Sequence, residues 1–369
     1  VSTDVVRGSA LTTAQTLVGT NQTTSSAADV DKSMVDYADR IDAVRVNLGS
    51  VRYNGVDART VVSTAMVSTS TDADTLSSLD GTLSTIEWVK TGAGDDWLIG
   101  SGVANRLEGG LGSDWLMGGQ GVDTLVGGLG NDLVDYSDVT TGGVTVLIND
   151  LVTGAVSTVG STTALNGSNS GSDVLYGIES VLGSSQADSI TTNNEANWLD
   201  GGGGNDTLLA GAGNDIVVFD SADGSVDGGS GIDTLWVREA NVDFTALSGT
   251  NWTGFEVMDL RSGGTVSSSI KLDRTAVANH MASTGVVTVY ANGNDVIDLA
   301  TVYSAGTTGR WTAGSDTVDA SGNVYHTWNA DTVGGSTSAA VVISAEAQVR
   351  LVGTSNVDSL IGTAGSDVL

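Results

Sequence analysis

Three aspartates, Asp114, Asp123 and Asp132, stand nine residues apart in the stretch 109–135, which cuts into GGLGSDWLM, GGQGVDTLV and GGLGNDLVD. A carboxylate at a fixed place after several glycines offers hard oxygen donors: the acid itself and the backbone carbonyls that glycine lets turn inward. Such a set suits a divalent cation that takes six to eight oxygen ligands in flexible geometry, the coordination habit of calcium. Thiolate chemistry is excluded, because the chain contains no cysteine.

The nine-residue frame runs on in phase in both directions. Thr91 to Asp135 holds five units, the first two being TGAGDDWLI and GSGVANRLE. Gly183 to Trp236 holds six: GSSQADSIT, TNNEANWLD, GGGGNDTLL, AGAGNDIVV, FDSADGSVD and GGSGIDTLW. The last seventeen residues, GTSNVDSLI and GTAGSDVL, are again in phase. Place eight is large and apolar, with Leu98, Leu107, Leu116, Leu125 and Val134 in the first block. Six loop residues followed by three strand residues with one inward side chain predict a parallel coil. Two units make one turn of eighteen residues, with strands stacked on two sides and loops on two edges.

Residues eighteen apart then become neighbours at strand spacing, about 4.8 Å. Asp96 falls beside Asp114 and Asp114 beside Asp132, and a column of carboxylates so spaced repels itself unless a cation lies within it. A flexible acidic linker would share the Gly and Asp but has no use for the apolar place eight.

The unit GGxGxDxUx resembles the repeat of the RTX (repeats-in-toxin) family, whose nonapeptides bind calcium in a parallel β-helix. The resemblance implies an all-β fold of parallel β-roll blocks with several Ca2+ ions between successive turns. Carried over residue by residue, it places metal sites in the first block at Gly92, Gly94 and Asp96, at Gly110, Gly112 and Asp114, at Gly119, Gly121 and Asp123, and at Gly128, Gly130 and Asp132. In the second block the positions are Asp188, then Gly202, Gly204 and Asp206, then Gly211, Gly213 and Asp215, then Gly229, Gly231 and Asp233. Asp358, Gly365 and Asp367 follow near the end. The expected pairs are Asp96 with Asp114, Asp114 with Asp132, Asp188 with Asp206 and Asp215 with Asp233. Asn105 with Asp123 and Asn197 with Asp215 should be weaker, and Gly224 at place six breaks the column above Asp206.

A longer period overlies the nonapeptides. MVDYADRIDAVRVNL at 34–48 resembles LVDYSDVTTGGVTVLI at 133–148, and IEWV at 86–89 resembles IESV at 178–181. The expected organisation is a β-rich excursion over 1–90, a roll over 91–135, a second excursion over 136–182, a second roll over 183–236, a β-rich module over 237–350 and the start of a third roll over 351–369. Short helices are expected only near 25–34 and 273–282. Place seven should face outward, and it holds Trp97, Trp115, Trp198 and Ile216. Outward aromatics suit a partner subunit, a sugar, or cover by the chain's own excursions.

Fourteen Lys and Arg against 44 Asp and Glu give a formal charge of −30. That balance argues against nucleic acid and anionic membranes as partners and favours cations. No apolar run reaches the roughly 18 residues of a spanning helix, so membrane insertion is not expected. The opening VSTDVVRGSA carries no Sec-type leader, as expected of a processed or excised chain. The RTX resemblance implies type I secretion with an uncleaved C-terminal signal.

The motifs H-E-x-x-H, G-x-S-x-G and the P-loop are absent, and His280 and His326 sit in unrelated contexts, so no enzyme is expected. The leading expectation is a calcium-stabilised extracellular or cell-surface structural protein of bacterial type, a self-assembling S-layer or filament subunit whose partners are copies of itself. An unpaired strand edge at the closing SDVL would invite a further chain, with the N-terminal STDVV as its receiver. A giant-adhesin segment, with cell-surface polysaccharide as a ligand, and a non-catalytic appendage of a secreted enzyme are the alternatives.

Overall fold

The computed structural model describes residues 33–38, 44–48, 86–149, 172–247, 252–261, 268–280, 286–300, 311–330, 340–344 and 347–352, with short strands at 5–7, 16–19, 60–63, 73–78, 157–161, 302–304 and 307–309. Asp358, Gly365 and Asp367 lie outside the described residues, as do all of the expected third roll but 351–352, in the strand Gln348–Val352, and all of the helix expected near 25–34 but Ser33 and Met34, which open the strand Ser33–Asp36. The chain divides into two compact units, 1–192 with 201–204, and 193–200 with 205–369. Nearly every described element is a strand, and the helix expected near 273–282 spans Arg274–His280.

In the first unit the eighteen-residue register is met strand by strand. Trp97–Ser101, Trp115–Gly119 and Leu133–Asp135 run parallel, with Leu98 opposite Leu116 and Leu116 opposite Val134. On the other side Arg106–Leu111 and Thr124–Leu129 pair with Leu107 opposite Leu125. The inward residues Leu98, Leu107, Leu116, Leu125 and Val134 are all fully buried. One side chain per three-residue strand thus suffices for a core, because each stacks on its counterpart above and below.

Flanking segments join the same ladders. Val46 lies opposite Leu98, Val89 opposite Leu107, Leu175 opposite Leu125 and Val181 opposite Val134. The second excursion leaves the roll as an antiparallel hairpin, Val144–Leu147 with Ser157–Ser161, and then returns to the ladders. Val44–Asn47 likewise pairs antiparallel with Thr60–Ser63. The resemblance between 34–48 and 133–148 therefore marks one device used twice: a strand that leaves the coil, turns back and lies parallel to the first strand of the following block.

The second unit repeats the design. Trp198–Asp200, Ile216–Val218 and Thr234–Trp236 stack in parallel, and Leu208 faces Val226 on the other side. Part of the segment 237–350 continues a sheet of the roll: Leu235 is opposite Met258, Met258 opposite Val289, and Val287 opposite Val341. A further parallel ladder sets Val242 opposite Ile270, Ile270 opposite Ile297 and Ile297 opposite Val349. Longer loops between coils hide this continuity from a nine-residue frame.

The outward aromatics of the first block are largely covered. Trp115 is 9% exposed and meets Trp97 edge-on at 4.8 Å, in a cluster with Ile99, Met117 and Leu133. The Arg45 guanidinium lies over the Trp97 ring at 4.5 Å. Arg45 belongs to the excursion strand, so here the chain covers its own outer face. Trp198 is half-buried and Ile216 exposed.

Candidate metal centre

The place-six acids form directional chains of hydrogen bonds. The backbone N–H of Asp96 donates to Oδ1 of Asp114 at 2.8 Å, and that of Asp114 to Oδ1 of Asp132 at 2.8 Å. On the other edge the N–H of Asn105 donates to Oδ1 of Asp123 at 2.7 Å. In the second unit the N–H of Asn197 donates to Asp215 at 2.7 Å and that of Asp215 to Asp233 at 2.9 Å. Each strand entry is thus tied to the carboxylate one coil later, which satisfies an amide the short strand cannot pair.

The second oxygen of these acids is left over. Asp114, Asp123, Asp132, Asp215 and Asp233 are buried to 2% exposure or less, and their Oδ2 atoms have no hydrogen-bond partner among the described residues. An ionised buried oxygen without a partner is costly and calls for a cation. Burial pushes the Asp114 carboxyl up to about 8, with Asp96, Asp132 and Asp95 adding repulsion. Burial also raises Asp123 to about 8, aided by Asp173. It raises Asp132 and Asp215 to about 7 and Asp233 to about 6.

The glycines give these acids room. Gly109, Gly118 and Gly127, at place one, lie so close to the acid of their own unit that a Cβ would collide with its carboxylate. Place two and place four take positive φ, as at Gly128 (φ 131) and Gly130 (φ 145), where a Cβ would strike the carbonyl of the glycine eighteen residues earlier. Successive loops therefore nest backbone on backbone, and main-chain carbonyls are packed beside the acids. Among the described residues no three His, Asp or Glu side chains converge as a metal-holding group. A cation held here must then draw on carboxylates together with loop carbonyls, an all-oxygen donor set that fits calcium.

Two units close differently. In GSSQAD the backbone N–H of Ser184 donates to Oδ2 of Asp188 at 2.5 Å and its hydroxyl to Oδ1 at 2.8 Å, while the Val144 N–H also reaches Oδ1 at 2.7 Å. In GSGVAN the N–H of Ser101 donates to Oδ1 of Asn105 at 2.7 Å. Serine at place two thus adds a hydroxyl donor, to Asp188 Oδ1 and Asn105 Oδ1, that glycine cannot supply. Asp206 is buried, and its N–H reaches Oδ1 of Asp223, the residue before Gly224, at 3.4 Å. Asp96 is buried and accepts the N–H of Val44 at 2.6 Å.

Several acids in the columns stand outside the nonapeptide assignments. Asp173 accepts the N–H of Asp123 at 2.8 Å and the Tyr136 hydroxyl at 3.2 Å. Glu179 accepts the N–H of Asp132 and Glu256 that of Asp233. Asp295, 1% exposed, accepts the N–H of Ser268 at 2.8 Å and that of Asn292 at 2.7 Å. Asp295 had a readable signal, since YANGNDVID keeps the glycine, acid and apolar places of the frame.

Comparison with known families finds the RTX calcium-binding nonapeptide repeat in four copies, at residues 84–102, 99–134, 182–217 and 352–369. A search of curated proteins finds no match to the chain. The repeats bind Ca2+ at multiple sites in the β-roll. Within each unit the candidates to hold it are Asp96, Asp114 and Asp132, and Asp215 and Asp233, with the adjoining glycine-loop carbonyls. Calcium, when bound, supplies the positive charge that balances these buried acids, and its binding free energy becomes folding free energy.

Proposed function

We propose that this chain of RTX calcium-binding repeats is a secreted structural protein that sets rigid in external calcium and assembles with copies of itself into a surface layer or filament, without catalysis of its own. The observation that carries the proposal is the run of buried acids with leftover oxygens, a framework at odds with itself until cations enter. Extracellular calcium modules work at dissociation constants of about 10⁻⁴–10⁻³ M, so such a chain stays open where calcium is scarce and folds where it is abundant. Self-association is supported by apolar residues on the loop edges: Leu111 and Leu129 are register partners, 50% and 71% exposed, and Ile232 is 60% exposed. An outer edge that pairs leucine with leucine suits a repeated contact with another copy.

The test is circular dichroism and light scattering on protein prepared in chelator, before and after adding calcium. Gain of β structure together with growth into large, chelator-reversible particles is expected. Folding without growth overturns the assembly role, and no response to calcium overturns the whole proposal.

A further inference from the structure

Each regular stretch of coil ends at a three-residue turn of one composition. Gly177-Ile178-Glu179 follows the first block, and Gly254-Phe255-Glu256 follows the last unit of the second. Both glycines take positive φ, 55 at Gly177 and 77 at Gly254, and Ile178 and Phe255 are buried. Neither turn lies within the segments matched by the nonapeptide repeat.

Each turn occupies the position of a full six-residue loop. In a regular coil the strand after a place-six acid is bonded to the acid one coil earlier, as the Leu133 N–H is to the Asp114 carbonyl at 2.7 Å. Here the Ser180 N–H donates to the Asp132 carbonyl at 2.9 Å, and the Val257 N–H to the Asp233 carbonyl at 3.0 Å. In a regular coil a Cβ on place-one Gly100 would meet the carbonyl of place-one Gly118. On Gly127 and Gly228 it would meet those of Gly177 and Gly254. The glutamate also does what the next aspartate would do: Oε2 of Glu179 accepts the Asp132 N–H at 2.9 Å and Oε2 of Glu256 accepts the Asp233 N–H at 2.8 Å. A turn three residues shorter reaches the same amide because glutamate is one methylene longer.

The structure assigns to these turns a second kind of calcium site, in which Glu179 with Asp132, and Glu256 with Asp233, hold the terminal ion of each coil together with main-chain carbonyls. The Oδ2 atoms of Asp132 and Asp233 support it, since both residues are 0% exposed and those atoms have no hydrogen-bond partner among the described residues. A cap needed only for its hydrogen bond could be an amide, yet both turns place a carboxylate beside a buried carboxylate, which is unfavourable without a cation. The assignment rests on the calcium reading of the roll and extends it beyond the nonapeptides.

Glu179→Gln and Glu256→Gln in the full chain keep the acceptor for the amide and remove the charge. Bound calcium is counted by equilibrium dialysis and elemental analysis at saturating and at half-saturating free calcium, with Asp114→Asn alongside. Each glutamine variant is expected to bind one ion fewer, or to hold one ion at least about tenfold more weakly, while still folding in calcium by circular dichroism. Glu256→Asp, too short to reach, should lose the same ion. Unchanged stoichiometry and affinity in both glutamine variants, with loss in Asp114→Asn, overturns the glutamate sites and leaves the roll sites standing. Absence of binding in the parent chain overturns the roll reading itself.

Discussion

Asp114 shows how one residue carries opposite demands. Its Oδ1 is committed to the Asp96 amide, and its Oδ2 has no hydrogen-bond partner among the described residues. Asparagine in its place keeps the acceptor and removes a buried charge. Asp114→Asn is therefore expected to show at least as much β structure as the parent in chelator yet a lower melting temperature in calcium, a reversal of sign that circular dichroism under both conditions would reveal. The titration of these acids has a direction as well. Their folded-state values lie above the usual carboxylate value of 3.8, at about 8 for Asp114 and Asp123 and about 7 for Asp132 and Asp215. Between pH 4 and 8 the folded chain without calcium therefore holds more protons than the unfolded one, and stability falls as pH rises through that window. Circular dichroism in chelator should show more β structure at pH 5 than at pH 8. Calcium binding near pH 5, where the protonated acids favour the folded form, should release protons, measurable by calorimetry in buffers of different ionisation enthalpy.

At the scale of strand and loop, the nine-residue spacing was enough to place the inward residues, the parallel register and the acids beside one another. It was not enough where the spacing changes. Glu179 lies 47 residues after the Asp132 whose amide it takes, and Glu256 lies 23 after Asp233. The IE-x-V likeness was visible, but nothing in its local pattern says that the glutamate replaces an aspartate, because that depends on where an inserted hairpin returns the chain. Asp223 escaped for a smaller reason, a one-residue shift in a unit whose place six is Gly224. Two substitutions test the nesting of loops. Gly128→Ala puts a methyl group against the Gly110 carbonyl at a φ of 131 and should cost about 1–3 kcal/mol in urea melts with calcium. Gly102→Ala, which meets nothing within 4 Å and has no positive φ, should cost little. Leu116→Ala removes a fully buried side chain from between Leu98 and Val134 and should cost about 2–5 kcal/mol.

For the whole molecule, stability should depend on calcium more than on any single contact. A formal charge of −30 opposes compaction, and each ion bound only by the folded state adds about 1.4 kcal/mol of stability per tenfold rise in free calcium above its dissociation constant. A plot of unfolding free energy against the logarithm of free calcium should therefore be a line whose slope counts the ions released on unfolding. The hydrogen-bonded column of the first unit also has two unlike ends. It begins with the Val44 amide reaching Asp96 and finishes with Glu179 receiving the Asp132 amide. Every coil between accepts from one neighbour and donates to the other in the same sense. Whole eighteen-residue coils can be copied or excised without touching either end of the column, so its length is open to change by genetic duplication while its ends stay the same.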